Sequence, residues 1–94
     1  MDVNEFKSKY SKYSKDELKE NFSSIYTNFC CDYASMKTDI FVKYNSKIIN
    51  SEELFSEEEK RKLYLEREKE LNNLANARTD ISKVISETMG LIKL

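Results

Sequence analysis

The sequence predicts an all-α fold in which a short N-terminal helix packs on a long antiparallel helical hairpin, closed as a three-helix bundle or as a dimeric bundle. Three observations carry this. The chain has 94 residues with one Gly and no Pro, which removes the turn residues that a β-sandwich or a doubly wound α/β fold requires. Apolar residues recur at helical spacing along most of the chain. Two Ser-x-x-Glu capping boxes, Ser14 with Glu17 and Ser56 with Glu59, mark helix starts. The length suits one domain spanning residues 1–94, and five Phe and six Tyr supply a core.

Val3, Phe6, Tyr10 and Tyr13 lie 3, 4 and 3 apart on one face, predicting a helix over about residues 2–13. The capping box at Ser14 then restarts the chain, although without Gly or Pro nearby the two helices could also run on as one. From Lys15, the positions Leu18, Phe22, Ile25, Phe29, Tyr33, Met36, Ile40 and Tyr44 step by 4, 3, 4, 4, 3, 4 and 4. That eleven-residue period follows a nearly straight helix, predicted to run over about residues 15–49. Tyr26, Cys30, Phe41 and Ile48 widen the stripe toward that of a bundle core.

Asn50 and Ser51 offer stop and start chemistry. Glu52, Glu53, Glu57 and Glu58 surround the Ser56 cap, where acids complement the positive end of a helix dipole. A third helix over about residues 57–89 carries Tyr64, Leu71, Leu74, Ile81, Ile85 and Met89, and the single glycine, Gly90, stands where a C′ residue belongs. Two long helices of nearly equal length are what an antiparallel hairpin needs.

There is no His to act as base or metal ligand, and one Gly cannot build a phosphate-cradling loop. The sequence therefore points away from an enzyme and implies no cofactor and no metal. The net charge of -1 gives no global attraction to nucleic acid or an anionic membrane. Apolar runs are far below the roughly 20 residues that span a bilayer, and the N-terminus lacks a signal-peptide pattern. Cys30 and Cys31 are adjacent, so a disulfide between them would be strained. Reduced thiols at core or near-core positions, in a cytoplasmic protein, are the expectation.

Two places could carry function. Arg67 and Arg78 project from the apolar stripe of the third helix, eleven positions apart, and a buried cation must be paired. With a turn near residues 50–55, facing positions sum to about 105, which sets Arg67 against Asp39 and Arg78 near Asp32 as structural ion pairs that fix the register. The alternative is that both arginines reach a partner's surface, where Arg is enriched among hot spots. The segment Phe6–Lys15 holds Lys7, Lys9, Lys12 and Lys15 without an acid, interleaved with Tyr10 and Tyr13. It either docks its aromatic face on the hairpin or uses the lysines and tyrosines to grip a nucleic acid or a membrane surface. Val42, Ile49 and Leu65 lie off the main faces, and a two-helix hairpin cannot cover such area, so a homodimer is expected.

Together these features predict a non-enzymatic helical protein that binds and modulates or inhibits a protein partner. Lys and Asn outnumber Ala and Arg, the composition that an AT-rich genome encodes, and an inhibitor or immunity factor of a phage or mobile element fits it. A nucleic-acid accessory protein and a coiled-coil subunit are the alternatives.

Overall fold

A computed structural model describes residues 1–50 and 56–90. Three helices make up the fold: α1 over Val3–Ser11, α2 over Lys15–Asn50 and α3 over Glu57–Thr88. Among the described residues there is no strand. The expected all-α architecture of a short helix on a long hairpin is present. Ser51, Glu52 and Glu53, read above as part of the turn, lie outside the described residues.

Local chemistry sets the boundaries. The Asp2 carboxylate accepts from the Glu5 amide at 2.8 Å and starts α1. The helix ends at Ser11, short of the expected residue 13, with Lys12 as its C-cap. Ser14 and Glu17 form the reciprocal capping box, the Ser14 Oγ accepting from the Glu17 amide and the Glu17 Oε1 from the Ser14 amide, each at 3.2 Å. That box separates α1 from α2. Ser56 Oγ caps α3 by accepting from the Glu59 amide at 3.2 Å. Beyond α3, Gly90 takes φ 75, a left-handed conformation that favours glycine.

Inside α2, Asn21 departs from helical geometry with φ -126 and ψ 24. An exposed Asn at this point can trade helix geometry for local polar contacts, and the departure changes which residues face inward. Leu18 and Ile25 are buried while Phe22, expected in the core stripe, is 38% exposed. Cys30 and Cys31 are also exposed, which corrects their expected core placement.

The core centres on an aromatic cluster where α1 meets the hairpin. Phe6 stacks on Phe29 with ring centroids 5.5 Å apart and planes 7° from parallel. Tyr10 meets Phe6 and Phe29 edge-on at 5.5 and 5.3 Å. Leu18, Leu74, Ala77 and Ile81 complete the buried floor.

Val3 lies beside Met36, Ile40 and Asn73, Lys9 bonds to Asp32, and Lys7 pairs with Asp80. The helix therefore runs antiparallel to α2 and parallel to α3. At 1.5 Å per residue its nine residues cover about 13 Å, whereas the molecule extends 55 Å along its long axis. Most of the hairpin has no third helix.

Candidate functional site

The hairpin has two sides, and charge distinguishes them. On the front, covered in part by α1, the acids of both long helices gather. Asp32 accepts from the Lys9 ammonium at 2.7 Å and from the Tyr10 hydroxyl. Asp80 meets Lys7 at 3.5 Å. Asp39 and Glu70 line a cleft with Met1, Asp2, Val3 and Lys43, and Lys43 reaches Glu70 at 3.2 Å. The bonds from Lys9 and Tyr10 hold the Asp32 carboxyl below its ordinary pKa, while Asp32 in turn raises that of Lys9. Burial, reinforced by the Asp32 bond, pushes the Tyr10 phenol up to about 12. The Tyr44 hydroxyl and the Lys43 ammonium similarly hold Glu70 down. Thus α1 is a basic amphipathic helix seated on an acidic face.

The back is built otherwise. At about 100° per residue, Tyr26, Tyr33, Lys37 and Phe41 fall on the opposite flank of the α2 core stripe from Asp32, Asp39 and Lys43. The Arg78 guanidinium lies over the Tyr33 ring at 4.9 Å. That of Arg67 sits between two rings, 5.7 Å from the centroid of Phe41 and 5.1 Å from that of Tyr64. Arg67 also donates to the Asn45 side-chain oxygen at 2.9 Å and touches Glu68 at 3.5 Å. Its Nε is buried without a hydrogen-bond partner. Toward the start of α2, Phe22 and Tyr26 stack at 5.7 Å. Planar, weakly hydrated guanidinium groups suit such stacking, which carries both cation–π attraction and dispersion.

These contacts correct the expected ion pairs. Facing pairs Tyr33 with Arg78, Lys43 with Glu70 and Asn45 with Arg67 have numbers summing to about 112, so the register is displaced by about two turns' worth of residue number in the sum, one per arm. Rotation matters as much as displacement. Residues two apart on a helix project about 200° from each other, so Asp39 turns to the front, exposed, while Phe41 turns to Arg67. Asp32 serves Lys9 and Tyr10 in place of Arg78.

The N-terminal candidates separate as well. Tyr10 is 1% exposed and belongs to the core, so it cannot stack on a ligand while α1 is docked. Tyr13 is half-buried and packed against the core. Lys7 and Lys9 are engaged with Asp80 and Asp32, and Lys12 is exposed. Sequence reasoning singled out both arginines but missed their aromatic partners. One signal was present: Tyr64 and Arg67 are three apart on one helix, a spacing that brings side chains together.

Comparison of the chain with known protein families, with curated proteins and with solved structures gives no match. No helix among the described residues is long and apolar enough to cross a membrane.

Proposed function

We propose that the chain is a non-enzymatic protein that binds a protein partner through the back of the α2–α3 hairpin and acts by occupying that partner's surface, as an inhibitor or immunity factor does. The observation that carries this reading is the row of aromatic and arginine side chains along that side. Tyr26 and Tyr64 are 48% and 44% exposed, and Phe22 is 38% exposed. Tyr and Arg are the residue types that dominate energetic hot spots, because they offer large contact area and directional bonds at low entropic cost. Rings held in place by stacked guanidinium groups are already ordered, which lowers the cost of binding.

The AT-rich amino-acid usage supports an origin in a phage or mobile element, and the exposed Cys30 and Cys31 fit a reducing cytoplasm. The N-terminal segment is the weaker seat, since its rings face the core and two of its lysines are engaged.

Parallel recovery of the tagged wild-type chain and a tagged Lys37→Glu/Arg78→Glu variant from the source cell tests the reading. Both substituted residues are exposed, so the fold should persist, with circular dichroism as the check. One protein should co-purify in stoichiometric amount with the wild type and be depleted from the variant. Identical recoveries, or none from either, would overturn the proposal.

A further inference from the structure

Resting on that reading, we infer that the partner's docking element is an acidic amphipathic helix, with carboxylates set to meet Arg78 and Arg67. Charge is distributed unevenly between the two sides of the hairpin. The sequence holds seventeen acidic residues, yet those between Tyr26 and Asn45 on α2 and between Tyr64 and Ser82 on α3 lie overwhelmingly on the front. Asp32 and Asp80 bind the lysines of α1, and Asp39 and Glu70 line the cleft at its N-terminus. On the back the same stretches present Lys37, Arg67 and Arg78, with Glu68 as the one acid in contact with them. Over these stretches the two long helices thus present an acidic front, on which the lysines of α1 and Lys43 are seated, and a basic back.

The front already displays the chemistry of a complementary occupant. There α1 seats two aromatic side chains, Phe6 and Tyr10, in the groove and spends Lys7 and Lys9 on flanking acids. The back repeats the arrangement with the opposite charge: an apolar and aromatic strip flanked by cations. Arg67 and Arg78 are eleven residues apart on α3, about 16 Å at 1.5 Å per residue. A helix lying along the hairpin would set carboxylates about eleven positions apart against both, with the exposed Arg78 open to bidentate binding and Arg67, already bonded to Asn45 and Glu68, open to a further charge-assisted contact.

Two other occupants fit less well. Single-stranded nucleic acid needs free ring faces for stacking and a cation track along its backbone. Here the ring faces of Tyr33, Phe41 and Tyr64 carry arginines, those of Phe22 and Tyr26 carry each other, and three cations serve the whole strip. A second copy of the chain, expected from the sequence, would set Lys37, Arg67 and Arg78 against the same residues, and like charges across an interface are costly.

A displayed library of amphipathic helices with randomised polar positions, selected on the full chain, tests this. Enriched helices should carry Asp or Glu at two positions about eleven apart. Their amide-shift footprint on the labelled chain should fall on Tyr26, Tyr33, Phe41 and Tyr64, and their Kd should rise on the order of tenfold or more with Arg78→Glu or Lys37→Glu. Enriched helices that footprint on the back but are neutral or basic would overturn the acidic partner while leaving the binding face intact. A footprint elsewhere, or no enrichment, would overturn both. Oligo-dT footprinting on the back more tightly than any selected helix would assign the face to nucleic acid instead. Sedimentation of the free chain as a dimer that Arg78→Glu dissociates would assign it to a second copy.

Discussion

Replacing Phe6 by Ala should destabilise the protein by about 4 kcal/mol, in the range for fully buried Phe positions. Phe6 has no exposed surface, so the whole side chain is lost from the core. Transfer of its ring contributes about 1.5–3 kcal/mol. The stacked contact with Phe29 and the edge contact with Tyr10 contribute about 0.5–1.5 kcal/mol each. The loss has a ceiling, because a nine-residue α1 is too short to stay helical once undocked. If the substitution detaches it, the measured cost is the entire docking free energy and no more. Urea unfolding followed by far-UV circular dichroism reads both quantities. The midpoint should fall, and the slope m should fall as well if α1 is already detached, since less surface remains to be exposed. By contrast, changing Lys7, Lys12 and Lys15 together to Gln should leave the midpoint nearly unchanged, because the Lys7–Asp80 pair is solvent-exposed and Lys12 and Lys15 stand at exposed positions. A Phe6→Ala midpoint equal to that of the wild type would refute the docking account.

Single bonds and caps leave their own signatures in the melts. Tyr10 has a folded-state pKa of about 12 against an ordinary 10.0, so the neutral phenol is favoured in the fold and its contribution is fully present below pH 10, then lost as pH rises through 12. Two pKa units correspond to roughly 3 kcal/mol, and Tyr10→Phe should reduce the alkaline decline in a pH series of urea melts, leaving the part that Tyr44, also raised, contributes; a decline that persists unchanged would place its origin elsewhere. Asp32 is shifted the other way, so its contribution is present above its ordinary 3.8 and should fade as pH drops below it; Asp32→Asn should flatten that acid limb. Ser14→Ala removes one half of the capping box and should cost about 1 kcal/mol in the same melts, with no change locating the α1–α2 break in something other than the cap. Arg67→Met retains the packing between Phe41 and Tyr64 and eliminates a buried Nε that has no partner, so its stability should stay within about 1 kcal/mol of the wild type; a loss of several kcal/mol would restore the buried ion pair that the geometry replaces.

What the sequence reveals, and what it hides, follows from the range of each interaction. Helix starts at Ser14 and Ser56 and the stop before Gly90 depend on residues within one turn, and they stand within two residues of where local chemistry puts them. The docking of α1 was legible because Phe6 and Tyr10 share a face whatever the tertiary context. Phe22 was misplaced because a single nonhelical residue, Asn21, interrupts the pattern from which its burial was read. The partners of Arg67 and Arg78 were hidden for a deeper reason. Register and rotation between two long helices are settled by the whole interface, and a shift of two residues, about 200° around the helix, exchanges Asp39 for Phe41 as the group that faces the guanidinium. The two-sided charge was equally invisible along the chain, since Asp32 and Lys37, or Asp80 and Arg78, are near neighbours in sequence that project to opposite sides.

Whether the back of the hairpin is the binding face can be read from a photo-cross-linking scan in the source cell. A benzophenone amino acid is placed singly at Tyr26, Lys37 and Tyr64 on the back, at Asp39 and Lys43 on the front, and at Val42 and Ile49, which are 58% and 70% exposed on the outside of α2. All seven positions are exposed, so accessibility alone does not separate the sets. One adduct of a common mass should form from the three back positions and none from the other four. The same adduct from Asp39 and Lys43, or from Val42 and Ile49, with the back positions silent, would contradict it.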